Sequence, residues 1–358
     1  MTDIFANRRQ FTGSLIFRWF AALMVGLTVL ACETVPDQQA LVREFTLRNV
    51  DTLTEDRNLH ADHYPASNER RIDLFRPHIL GLKGGYIGVG TDQNLTFVAW
   101  ACSDFAWLID FDYVSVDVNR IHLFFISQAP TFAEFRALWD RKNQKNSFAL
   151  LEKRFGSEAD FYRIRNAFKV AHRGWNDVPE RLKDLDYMIR KFKLDTFVNN
   201  PGDYAYIRTM VLENRIQALP GDLKGTVTLR EIGDAARRMN LPIRVVYTSN
   251  AEEYMRFPEQ MRKNLLGLPV DAKGLIIRTT TTGTKQELGY PEGEKFPESF
   301  PFHYNIQPLT VFQAWLARGV EFRLLDMLRQ NRKISQGMSI QETPPPAQPN
   351  AAKNPAQP

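Results

Sequence analysis

A chain of 358 residues, 44% hydrophobic and 24% charged, has the make-up of one large folded domain or two modest ones, which excludes wholesale disorder, a collagen-like repeat and a polytopic membrane protein. Forty-six basic against 41 acidic side chains leave a net charge of +5, too mild to argue for a nucleic-acid partner, and none is expected. With only Cys32 and Cys102 present, a disulfide framework and a thiolate metal cluster are excluded as well.

Residues 1–31 carry Arg8, Arg9 and Arg18, then thirteen uncharged, mostly apolar residues from Trp19 to Ala31. This is the n-region and h-region arrangement of a secretory signal, and the run is short for a membrane span. It ends Val29-Leu30-Ala31-Cys32, which resembles a bacterial lipobox, whose cysteine is lipidated after cleavage. The resemblance implies a lipoprotein signal peptide over 1–31, acylation of Cys32, a tether over 32–44 and a protein held on the membrane by its lipid. Glu33 rather than Asp after the cysteine implies, by likeness to proteobacterial sorting, the outer membrane facing the periplasm. An uncleaved anchor with a fortuitous cysteine, leaving the domain in the cytosol, is the other reading of these residues.

From about 45 to 333, short apolar runs alternate with segments of helical period, the pattern of an α/β sheet with covering helices. His60-Ala61-Asp62-His63 has metal-ligating residue types but no helical period to present them, and no metal is expected. Strands are expected at 86–89, 105–109, 215–219, 243–247, 275–278 and 302–306. Helical spacing joins Leu95, Val98, Ala99 and Cys102, then Val114, Val118, Ile121 and Phe125, then Leu229, Ile232, Ala236 and Met239. Thr228 with Glu231 reads as a capping box for the last of these. Cys102, in an apolar context, is expected to be buried and inert. Residues 131–200 hold no convincing strand and read as a helical insertion or cap over one end of the sheet, where His172 is either a lid contact or simple surface. Helices from Val311 to Asn331, interrupted at Gly319, close the domain. Residues 334–358, rich in Pro, Gln and Ala, read as a disordered tail.

Gly84-Gly85-Tyr86-Ile87-Gly88-Val89-Gly90-Thr91-Asp92-Gln93-Asn94 sets glycines at the carboxyl end of a strand and just before a helix. Such a loop lets a nucleotide approach the backbone and offers it the free N–H groups of the helix start. Asp110 ends the next strand, twenty-two residues beyond Gly88, close to the spacing at which an acidic side chain accepts from ribose hydroxyls. The third glycine of a dinucleotide fingerprint is absent. On the other reading, Gly88 and Gly90 only permit close strand-to-helix packing, and Asp110 or Asp112 only caps the following helix. Asp222 and Asn250 follow the third and fourth strands, so Gly88, Gly90, Asp92, Asn94, Asp110, Asp222 and Asn250 converge on one rim of an open α/β sheet. Ser249 with Glu252 also fits a capping box. His303, Asn305 and Gln307 share one face of the last strand, with His303 either a ligand contact or a hydrogen-bonded structural residue.

A GxG loop followed by an acidic residue ending the second strand resembles the nucleotide loop of S-adenosylmethionine-dependent methyltransferases. Taken together, GGYIGVGTDQN at 84–94, WLIDFD at 107–112, RIQALPGDLKG at 215–225, VVYTSNAEEYM at 245–255, LPVDAKGLIIRT at 268–279 and FHYNIQP at 302–308 resemble a family of uncharacterised proteins with a methyltransferase-like Rossmann fold, some of whose bacterial members are lipoproteins. The resemblance implies a Rossmann-like, mostly parallel sheet with a helical insertion, and S-adenosylmethionine as a cofactor by fold alone; it brings no catalytic residues with it. An exported domain would meet little S-adenosylmethionine, and fold does not imply function. The expectation is therefore a lipid-anchored envelope protein with a binding or accessory role toward a small molecule or an envelope protein. The alternative is an active enzyme, a methyltransferase or a nucleotide-processing one.

Overall fold

Gly85–Val89 (β1), Phe105–Asp110 (β2), Ile216–Pro220 (β3), Ile243–Tyr247 (β4) and Val270–Thr281 (β5) lie side by side in the order β3-β2-β1-β4-β5, every neighbouring pair parallel. β2 is buried along its whole length and β1 all but its last residue, as strands covered on both faces require. Phe302–Pro308 (β6) runs antiparallel beside β5. Beyond it lie Arg332–Ser335 (β7) and Met338–Ile340 (β8), with β8 on β6 and β7 at the edge. The result is a mixed, mostly parallel eight-stranded sheet in an α/β chain, consistent with the Rossmann-like class. This computed structural model describes residues 37–53, 63–173, 176–281, 288–294 and 301–346. The expected signal peptide, Cys32, His60 and Asp62 lie outside them.

The helices follow in chain order as α1 (Gln38–Phe45), α2 (Arg76–Ile79), α3 (Gln93–Ala101), α4 (Tyr113–Gln128), α5 (Phe132–Trp139), α6 (Gln144–Phe155), α7 (Phe161–Arg173), α8 (Val178–Phe192), α9 (Pro201–Leu212), α10 (Thr228–Arg238), α11 (Glu259–Leu266), α12 (Leu309–Leu316) and α13 (Leu324–Leu328). Alternation along the strands sorts them into two layers. Ile87, Trp107, Ile109, Val246 and Ile276 face the layer of α1 and α10–α13, around Phe45, Ile232, Met261 and Phe312. Tyr86, Leu108, Val245, Tyr247 and Ile277 face the layer of α3–α9, around Trp100, Phe125, Trp139 and Phe168. Each such side chain fully buried contributes about 1.5–3 kcal/mol.

The insertion expected at 131–200 is helical, and its ends are written locally. Thr131 and Glu134 form a true capping box on α5, Asp177 caps α8, and Asn200 caps α9 ahead of Pro201. It does more than cover one end of the sheet, since its aromatic residues are continuous with the core of α3 and α4.

Four expectations need correction. Residues 38–44, read as tether, belong to α1, because Leu41, Val42 and Phe45 make one apolar stripe against the α10 layer, a stripe too short to stand out as a period. The segment from 334, read as disordered tail, instead supplies β8, whose Met338 and Ser339 are buried and cover the edge of β6 that would otherwise present unpaired backbone. Gln341 N–H donates to the Ile306 carbonyl and the residue is fully buried. Thr228 does not cap α10: its hydroxyl donates to the Pro220 carbonyl at 2.8 Å and accepts from Asp51 N–H at 2.7 Å. Cys102 is only partly buried, taking the left-handed position that ends α3.

Candidate functional site

The strand order reverses between β1 and β4, so the crevice outside their carboxyl ends is where an open α/β sheet takes a ligand. The two loop glycines expected to serve it differ. A Cβ on Gly88 would sit 1.8 Å from Asn94 Oδ1. Gly88 therefore exists to let α3 close on β1, and Asn94 is the brace rather than a ligand contact. Asn94 Oδ1 accepts from Tyr86 OH at 2.7 Å while its Nδ2 donates to the Val89 and Thr91 carbonyls. Gly90 has a φ of +92° and no atom within 4 Å of where a Cβ would stand. Of the two, only Gly90 both needs a glycine backbone and keeps an open side.

Asp110 lies beside Gly90, bonded to the loop itself. Its Oδ2 accepts the Gly90 N–H at 3.1 Å and its Oδ1 the Asp112 N–H at 2.8 Å. Burial raises its carboxyl to about 7, against the pull of those backbone donors. The reading that Asp110 or Asp112 caps the next helix holds for Asp112, which accepts Val114 N–H at 2.9 Å and also faces His63 Nδ1 at 3.0 Å. Phe111 between them is half exposed.

Asp92 is held from above. Ser67 N–H donates to its Oδ1 at 2.7 Å and Arg181 Nε to its Oδ2 at 3.3 Å. The same guanidinium, 2% exposed, donates to the Glu69 carbonyl at 3.0 Å and to Gln93 Oε1 at 3.1 Å. Glu69 Oε1 then accepts three hydroxyls, those of Tyr247 and Ser249 at 2.7 Å and of Thr279 at 3.2 Å. Ser249, left-handed at φ +50°, donates to Glu69, and Glu252 pairs with Arg278, so the expected Ser249–Glu252 capping box is not formed. A strap of residues 63–71, pinned by α8, thus crosses the carboxyl ends of β1, β4 and β5 and reaches β6, where Tyr304 OH accepts Arg71 N–H. Neither Glu69 nor Arg181 belongs to a motif; 89 residues separate Arg181 from Asp92, and 178 separate Glu69 from Tyr247. The one local signal was that an arginine sits on the apolar stripe of α8 beside Leu182 and Leu185.

The other expected residues are engaged elsewhere. Asp222 Oδ1 accepts Lys224 N–H at 2.8 Å within its own turn. Asn250 lies on the rim and donates to Tyr254 OH at 3.3 Å and, at 3.5 Å, to Glu253. His303 is a structural residue: Ser339 Oγ lies 2.7 Å from Nε2 and the Gly289 carbonyl 3.1 Å from Nδ1, and burial pushes its pKa down to about 4, which keeps the ring neutral. His172 is buried, with Nδ1 2.9 Å from the Phe168 carbonyl, so it is neither lid contact nor surface. Among the described residues no group of three or more His, Cys, Asp or Glu is placed to hold a metal, and no helix is long and apolar enough to cross a membrane.

The arrangement therefore leaves an open flank at Gly90 and Phe111, beside which the Asp110 carboxyl is buried and committed to the protein itself. No curated protein matches the chain. Residues 64–342, from the strap to just past β8, match a family described only as a domain of unknown function (DUF7790), and the chain belongs to that family.

Proposed function

We infer that this protein is a lipid-anchored component of the bacterial cell envelope, acylated at Cys32, whose methyltransferase-like domain has turned from cofactor chemistry to a binding or accessory role. One observation carries the reading: Asp92 and Gln93, the loop residues that would meet a nucleotide, are bound instead by Ser67 and the buried Arg181. For a cofactor to lie there, that arginine would have to leave the buried Asp92 carboxylate and the Gln93 amide oxygen, a cost of several kcal/mol. The hydroxyls of Tyr247, Ser249 and Thr279 all end on Glu69 rather than facing the crevice. Calorimetric titration of the purified protein with S-adenosylhomocysteine is expected to give no heat of binding. Labelling with a fatty acid in cells is expected to mark the wild type and not Cys32→Ser. Tight S-adenosylhomocysteine binding, or a label that survives Cys32→Ser, overturns the respective half.

The open side of Gly90 favours a second reading, a nucleotide-processing enzyme that uses only the flank of the loop. There Asp110 would hold a ribose and the half-exposed Phe111 would lie against the base. This reading requires a nucleotide that binds the wild type and is lost in Asp110→Asn.

A further inference from the structure

Ten basic and five acidic side chains fall between residues 131 and 173, an excess equal to the net charge of the whole chain, so the remaining residues balance. Within that stretch Arg136, Arg141, Arg154 and Arg163 are answered by Asp186, Asp177, Glu158 and Asp117. Lys145 on α6 and Arg165, Lys169 and Arg173 on α7 are exposed and have no acidic partner among the described residues. These four line a groove of about 320 Å³ between α6 and α7, floored by Phe148 and Phe168 with ring centroids 5.9 Å apart.

Arg165, Lys169 and Arg173 recur at i, i+4 and i+8, which stacks like charges along one edge of a helix and costs about 0.2–0.5 kcal/mol per adjacent pair. Nothing within the described fold uses that row. We propose that the α6–α7 groove docks an acidic peptide segment of another protein, its carboxylates on the four cations and an apolar side chain on the phenylalanine floor. The concave shape selects this occupant. A flat bilayer is met by apolar side chains that protrude, whereas here Phe168 is 3% exposed and recessed beneath the charges. Single-stranded nucleic acid wants aromatic faces on which bases stack, and the Phe168 ring is already enclosed by Phe148, Trp139 and His172. The groove lies in the helix layer on the far side of the sheet from α1, so it does not depend on the proposed anchor.

The test uses the full chain carrying Cys32→Ser, which cannot be acylated there, and fluorescence anisotropy of a labelled peptide of Asp and Glu interrupted by Phe. Binding is expected to weaken roughly tenfold in Lys169→Glu with Arg173→Glu, to fall with added salt, and to weaken when the peptide's Phe residues become Ser. In the double variant the new carboxylate at 169 pairs with Arg165 and repels the one at 173, replacing two like-charge contacts by one favourable and one unfavourable, so it is expected to unfold no earlier than wild type, which separates lost binding from lost fold. Absence of peptide binding to wild type, or binding unchanged in the double variant, overturns the proposal. So does tighter binding to phosphatidylglycerol vesicles or to a single-stranded oligonucleotide that the same double variant abolishes.

Discussion

Arg181 and Arg278 are equally hidden, 2% and 0% exposed, and each faces a carboxylate. Around Arg181 all three nitrogens find aligned acceptors, on Asp92, the Glu69 carbonyl and Gln93. Around Arg278 only Nη1 does, on Asn305 and Gln307, while Nε approaches Glu252 at 2.8 Å obliquely, and Glu252 Oε1 and Arg278 Nη2 meet no protein hydrogen-bond partner among the described residues. Burial accordingly raises the Glu252 carboxyl and lowers the Arg278 guanidinium. The contrast teaches that a buried ion pair is not one kind of thing. One is a completed network that closes the sheet's crevice, and the other is a charge pair that burial still penalises.

The largest expected effect is on the completed network. Arg181→Ala leaves Asp92 buried without its cation and should cost about 3–5 kcal/mol in urea unfolding; a loss under about 1 kcal/mol would mean that the strap holds without it. Next comes pH, through the carboxyl buried beside the glycine loop. The Asp110 carboxyl titrates near 3.8 when unfolded and at about 7 when folded, so its protonated form favours the folded state. That contribution is full below pH 3.8 and is lost as pH rises through 7. Wild type should therefore lose stability relative to Asp110→Asn between pH 4 and 7, by up to about 1.4 kcal/mol per pH unit; parallel curves would show that the carboxyl is ionised throughout. Gly88→Ala, driving a methyl into Asn94, should cost about 1–3 kcal/mol whether or not any ligand is present. A Gly88→Ala protein of normal melting temperature would return that glycine to ligand duty. The smallest change is expected from Glu252→Leu with Arg278→Met, neutral or modestly stabilising because the pair is uncompensated, and a large loss there would erase the distinction between the two arginines.

How much of this was legible beforehand depends on whether the cause was local. The first six strands were readable because several are continuous apolar runs and β6 alternates apolar with polar residues, and Ile243–Tyr247 matches the expected bounds residue for residue. β7 was invisible because Arg332, Lys333 and Ser335 are an exposed edge, and β8 because three residues carry no period. At the site, the spacing from Gly88 put Asp110 near the glycine loop with a ribose in view, whereas its bond to the Gly90 N–H was not foreseen. The roles of Gly88 and Asn94 depended on the angle at which α3 meets β1, which no spacing encodes. Glu69 and Arg181 depended on contacts between segments far apart in the chain.

The strap also sets a schedule. Residues 67–71 precede all their partners in the chain, which follow in order: Asp92 soon after, then Arg181, then Tyr247 and Thr279, and last Tyr304. Loop closure over such separations is slow, and long-range pairing waits for both ends. A nascent chain halted before residue 304 would carry the strap with its last anchors missing and the edge of β5 unpaired. Closure of the strap thus waits for the β6 segment, and protease resistance of the strap in stalled nascent chains should appear only once β6 has emerged.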